Sequence, residues 1–89
     1  MTSSTQTVAA LASMFFGAKL KGTIEQAGYT YLGAIGVSGL LKHARERSPI
    51  AIFLDLGKDD IDFASLVSEL RNDQLTSSIP IVAFCGHVE

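Results

Sequence analysis

The run Ile50-Ala-Ile-Phe-Leu-Asp-Leu56, followed at once by Gly57-Lys-Asp-Asp60, constrains the fold more than any other segment. Aliphatic and aromatic residues follow one another without polar alternation, the pattern of a strand buried on both faces inside a parallel sheet. Its one charge, Asp55, falls at the C-terminal end, where open α/β sheets gather ligands and chemistry. Two readings of that carboxylate stand side by side. It is either a reactive or ligand-binding group or a cap for the turn beyond the strand.

The remaining segments alternate between strand and helix patterns. Residues 1–6, Met-Thr-Ser-Ser-Thr-Gln, are polar and read as a flexible lead. Thr7 to Ala12 reads as a buried strand, weakened by its alanines. Ser13 can cap a helix over 14–27 that sets Phe16, Leu20, Ile24 and Ala27 on one face, and Gly28 stands at its stop position. Tyr29 to Ile35 is a second strand, broken by Gly36. Ser38 can cap a helix running to Arg47, with Leu40, Leu41 and Ala44 inward. Ser48-Pro49 ends that helix and opens the strand carrying Asp55. Asp62 can cap a third helix to Arg71, with Phe63, Leu66, Val67 and Leu70 as its apolar stripe. A polar loop, 72–78, leads to Ile79–Cys85, a fourth buried strand, and Gly86-His-Val-Glu89 closes the chain. The order βαβαβαβ predicts one domain over 1–89, built on a parallel sheet with right-handed crossovers.

Composition narrows the function classes. Of 89 residues, 47% are apolar and only 18% charged, a balance that leaves apolar surface for a partner. A net charge of −2 without a basic cluster argues against nucleic acid. The uncharged stretch Met1–Ala18 lacks a basic start and opens on Thr and Ser, so it does not read as an export signal, and no segment is built to span a bilayer. The lone Cys85 excludes an internal disulfide and fits a reducing cytoplasm. The glycines show no phosphate-cradling spacing.

Asp55, Cys85 and His87 come from one edge of the expected sheet. They could form a Cys–His nucleophile or a metal site. Without CxxC or HxxxH spacing, the plainer reading is a buried Cys85 and a solvated His87. Met14, Phe15 and Phe16 divide between core and an exposed contact patch.

Four blocks then match a known pattern: Pro49-Ile-Ala-Ile-Phe-Leu-Asp-Leu-Gly57, then Asp62, then Leu66-Val-Ser-Glu-Leu-Arg-Asn-Asp73, then Ser78-Ile-Pro-Ile-Val-Ala-Phe84. Together with Glu25-Gln-Ala-Gly-Tyr29 they resemble the receiver domain of bacterial two-component response regulators. The resemblance covers nearly the whole chain. It implies a three-layer, flavodoxin/CheY-like α/β fold with strand order 2-1-3-4, lacking the last βα units. It places Asp55 at the phosphoryl-acceptor position and Cys85 at the hydroxyl switch position. The acidic pair that holds Mg²⁺ in the family falls at Leu11 and Ala12, and the family's lysine has no counterpart. Asp59 and Asp60 stand where the family's loop has Pro-Gly, and Lys58 is a poor substitute for a metal.

Phosphoryl transfer to a carboxylate depends on cations that neutralise crowded oxyanions. The resemblance with these departures implies a signalling module acting by protein–protein contact, without phosphotransfer, enzymatic activity or a cofactor. The alternative is a phospho-accepting receiver that uses Asp55 and Mg²⁺ in a phosphorelay. The interaction edge is expected at Ile81, Val82, Ala83 and Phe84. It would serve a homodimer, edge-joined or intertwined, or another signalling protein, with no nucleic-acid or membrane partner.

Overall fold

The computed structural model describes residues 6–57 and 61–84. Four parallel strands, β1 (Thr7–Leu11), β2 (Thr30–Ala34), β3 (Ala51–Asp55) and β4 (Ile81–Phe84), form one sheet in the order β2-β1-β3-β4. The crossovers carry α1 (Met14–Gln26), α2 (Val37–Arg47) and α3 (Phe63–Asn72). This is the α/β architecture and strand order that the sequence predicts.

β1 lies at the centre, and all five of its residues are buried. Its alanines are poor strand formers in isolation, but a central position between two partners overrides propensity. Ala9 pairs with both Leu32 and Ile52, and Leu11 with Ala34 and Leu54. Parallel register puts these side chains on one face, where they join Leu40, Leu41 and Ala44 of α2 and Leu66 and Leu70 of α3 in one core. The opposite face carries Val8, Ala10, Tyr31 and Phe53, and α1 packs there. Helices on both sides of the sheet make three layers.

Local chemistry sets the helix ends. Ser13 Oγ accepts a hydrogen bond from the Phe16 amide at 3.4 Å, and the helix expected over 14–27 stops one residue earlier. Ile24 is buried and Phe16 and Leu20 half-buried, whereas Ala27 is exposed at the C-cap rather than inward. Gly28 takes φ +96°, a region most side chains avoid, and the Tyr29 amide bonds back to Ile24 O at 3.1 Å. Asp62 caps α3 with both oxygens: the Ser65 amide donates to one at 3.1 Å and the Ser65 hydroxyl to the other at 2.9 Å.

Among the boundaries that depart from expectation, three have a visible physical cause. α2 starts at Val37 with Gly36 as its N-cap, not Ser38, and no side chain caps it. Val37 packs against the core, so burial of the first turn fixes the start. Ser48 ends α2 at φ 45°, ψ 60° instead of extended, a left-handed conformation that turns the chain into buried Pro49. β4 begins at Ile81, because Ile79, though buried, closes a turn in which its amide donates to Thr76 O. That strand is half open: Val82 is 43% exposed.

The α3–β4 connection is tightly bonded. The buried Thr76 hydroxyl donates to Leu70 O at 2.5 Å, and Arg71 Nη1 donates to Ser77 O and Ile79 O at 2.8 and 2.9 Å. Arg45 of α2 pairs with Asp73 at 2.5 Å, tying two helices' ends together.

Two expected outcomes follow from this packing. Leu70 has no exposed surface, so Leu70→Ala should cost about 2–5 kcal/mol of stability, read as a lower urea midpoint at unchanged slope. The second concerns acid. The Ser65 amide and then its hydroxyl hold the Asp62 carboxyl below its ordinary 3.8, and the Arg45 side chain does the same at Asp73. A carboxyl with a depressed folded pKa stabilises fully above the unfolded value, and that stability is lost as pH falls through the folded one. Urea midpoints should therefore drop as pH falls below about 4. The drop should be shallower in Asp62→Asn, which keeps a capping oxygen but carries no charge.

Candidate functional site

The C-terminal edge of the sheet gathers the end of β1, the end of β3 and the start of α1. Asp55 closes β3 and is 3% exposed. Its Oδ1 accepts from the Gly57 amide at 2.9 Å, an Asx-type turn that bends the chain away from the strand. Its Oδ2 accepts from the Ser13 amide at 3.4 Å, across 42 residues of sequence. Ser13 thus works in two directions: its hydroxyl caps α1 while its amide meets the carboxylate of β3.

Leu11 and Ala12 lie beside this carboxylate at the end of β1, 0% and 8% exposed. Both are hydrocarbon and neither offers an oxygen to a hard cation, which takes six or more oxygen ligands. Among the described residues no group of three His, Cys, Asp or Glu could hold a metal ion. The Mg²⁺ that the receiver resemblance implies does not fit these two positions. Cys85, His87, Lys58, Asp59 and Asp60 lie outside the described residues.

A second feature adjoins the first. Phe16 of α1 meets Phe84 of β4 edge to face, with ring centroids 6.3 Å apart, and Phe15 meets Phe16 at 5.3 Å. Lys19 Nζ stands 4.8 Å from the centre of the Phe15 ring. The strip runs from the exposed start of α1, where Met14 is 93% and Phe15 62% exposed, to the edge strand. Of the three residues Met14, Phe15 and Phe16, the first two form surface and Phe16 joins the packing. Val82 and Ala83 are exposed, while Ile81 and Phe84 are half-buried.

Toward β2 a cleft of about 350 Å³ lies between α1 and β2 and reaches the end of β1, lined by Ala12, Ser13, Met14, Gly17, Tyr31 and Ile35 among others. Tyr31 lies against its wall, and its burial raises the phenol pKa. Gly33 leaves the Tyr31 ring in place, because a Cβ at that position would come within 2.9 Å of the ring and oblige it to shift. Ile35, 93% exposed beyond β2, was not singled out by sequence pattern, since one aliphatic residue at a strand end carries no periodic signal.

With this geometry in place, likeness to solved structures can be weighed. The chain superposes on the N-terminal domain of a response regulator receiver protein from Methanoculleus marisnigri JR1 with a TM-score of 0.79 at 17% identity, covering 98% of this chain and 71% of that one. It superposes on the chemotaxis response regulator CheY4 of Vibrio cholerae with a TM-score of 0.76 at 18% identity, covering 91% and 68%. No protein-family model and no curated protein matches the chain. The fold is therefore that of CheY-like receivers. Among the described residues no helix is long and apolar enough to cross a membrane.

The carboxylate's hydrogen bonds give the site a measurable structural role. Asp55→Ala should strand the Gly57 and Ser13 amides in a part-buried setting and cost about 1–3 kcal/mol, checked by urea unfolding.

Proposed function

We propose that this chain is a receiver-like signalling module that acts through protein–protein contact and does not transfer phosphoryl groups. The observation that carries the reading is the surroundings of Asp55. Its carboxylate is buried, both oxygens accept backbone amides, and the adjoining strand end is Leu11 and Ala12. A phosphoryl group on that carboxylate would add charge beside aliphatic side chains, where cations would be needed. What the site offers instead is a fixed junction between β3 and α1, next to an exposed aromatic strip and a sheet edge. Surfaces of that kind suit binding. The module on this reading is not an enzyme and carries no cofactor.

The second reading, a phospho-accepting receiver, draws on one observation: an aspartate at the C-terminal end of the third strand of this fold. Incubation with a small-molecule phosphoryl donor and Mg²⁺ separates the two. We expect intact-mass spectrometry to show no adduct and acid-stable, base-labile label to stay at background. Stoichiometric label that disappears in Asp55→Asn would establish the second reading and sink the first.

A further inference from the structure

Two stripes of residues, one on α1 and one along β2, face each other across the cleft beside Tyr31. Met14, Gly17, Ala18 and Lys21 fall at i, i+3, i+4 and i+7, one flank of the helix. Tyr31 and Gly33 of β2, with Ile35 just beyond it, alternate onto the sheet face below that flank. The cleft between them measures about 350 Å³. Its walls come wholly from residues 12–35 and owe nothing to the chain beyond β2.

Glycine makes the space. A Cβ on Gly33 would meet the Tyr31 ring at 2.9 Å, and one on Gly17 would meet the Tyr31 hydroxyl at 3.3 Å. The phenol therefore lies across Gly33 with its hydroxyl against α1, and two missing side chains leave an opening beside it. Glycine within a strand often marks the close approach of a ligand. The volume stands at the lower end for small-molecule sites. A helix of another chain, about 10 Å across, does not enter it.

The polar groups decide the charge of an occupant. Among the lining residues Lys21 is the only charged one, and no described residue forms an ion pair with it. Helical side chains lean toward the helix N-terminus, which sets Lys21 over the turn that holds Gly17. The Tyr31 hydroxyl stands against the same turn and has no hydrogen-bond partner among the described residues. Burial raises its pKa, so near neutral pH it keeps its proton and donates. Two donors thus converge on a cleft that holds no carboxylate. Met14 and Ile35, each 93% exposed, add aliphatic surface to its lining.

We infer that this cleft binds a small aromatic carboxylate. Its flat ring lies between the Gly17–Ala18 turn and Gly33, against the Tyr31 ring. Its acid group accepts from the Tyr31 hydroxyl and from Lys21 Nζ. The site needs neither phosphoryl transfer nor a partner chain, and so goes beyond the contact reading. It also includes Ser13, whose amide meets Asp55, so an occupant abuts the junction described above.

The test titrates 2-naphthoate into the isotope-labelled 89-residue chain and follows the backbone amide signals. Saturable shifts are expected at residues 12–21 and 31–35, with a dissociation constant of about 1 mM or tighter. 2-Naphthalenemethanol keeps the rings without the charge and should bind about fivefold more weakly or worse. Lys21→Gln, a change at an exposed position, should weaken naphthoate by about the same factor and leave the neutral compound unaffected. Gly17→Leu fills the cleft and should weaken both compounds. If Gly17→Leu fails to fold, Lys21→Gln and the neutral compound carry the test. No saturable shift up to about 10 mM naphthoate overturns the inference. So do shifts confined to Val82 and Phe84, equal affinity for the two compounds, or full naphthoate affinity in either folded variant.

Discussion

Burial of β1 is the constraint from which the rest of the structure follows. Thr7–Leu11 lies between β2 and β3 with every residue buried, so the strand must be uncharged and its side chains must fit against layers on both faces. Ala9 and Ala10 keep the volume small there, and Leu11 fills the core beneath α2 and α3. A fully buried leucine is worth about 1.5–3 kcal/mol relative to exposure. A carboxylate in its place costs several kcal/mol unless it is paired or bound to a metal. The end of β1 can serve the core or hold a hard cation, and Leu11 and Ala12 serve the core.

That choice decides what Asp55 can do. In this sheet it sits where the fold collects chemistry, but its neighbours across the edge are aliphatic. Its two oxygens accept from backbone amides at the start of α1 and in the turn after β3. Amides that accept no proton and carry no full charge can hold a carboxylate in place. The same contacts anchor the first turn of α1, which displays Met14 and Phe15 at the surface and packs Phe16 against Phe84. A buried acid and an exposed aromatic strip are thus parts of one junction.

Most of this was legible from pattern. The apolar runs, the caps Ser13 and Asp62 and the stop at Gly28 have direct chemical causes, and the structure places them as read. The misses share a cause in tertiary packing. Val37 starts α2 because it packs against the core, a fact no cap signal encodes. Ser48 adopts a left-handed conformation that the rule for residues before proline does not anticipate. The run at 79–85 looked as buried as 50–56, since unbroken hydrophobicity cannot distinguish a central strand from an edge strand. Val82 is 43% exposed for that reason, whereas Leu56 is 45% exposed because β3 ends at Asp55 and Leu56 lies in the turn beyond it. The contact of the Ser13 amide with Asp55 joins residues far apart in sequence, and only the register of β1 with β3 brings them together.

The edge strand is also held rigid from behind. Arg71 ties the end of α3 to Ser77 O and Ile79 O, Thr76 ties the turn to Leu70 O, and Asp73 receives Arg45 of α2. These bonds fix where the chain enters β4. The same loop bonds therefore complete the α3 side of the core and set the position of the strand that follows.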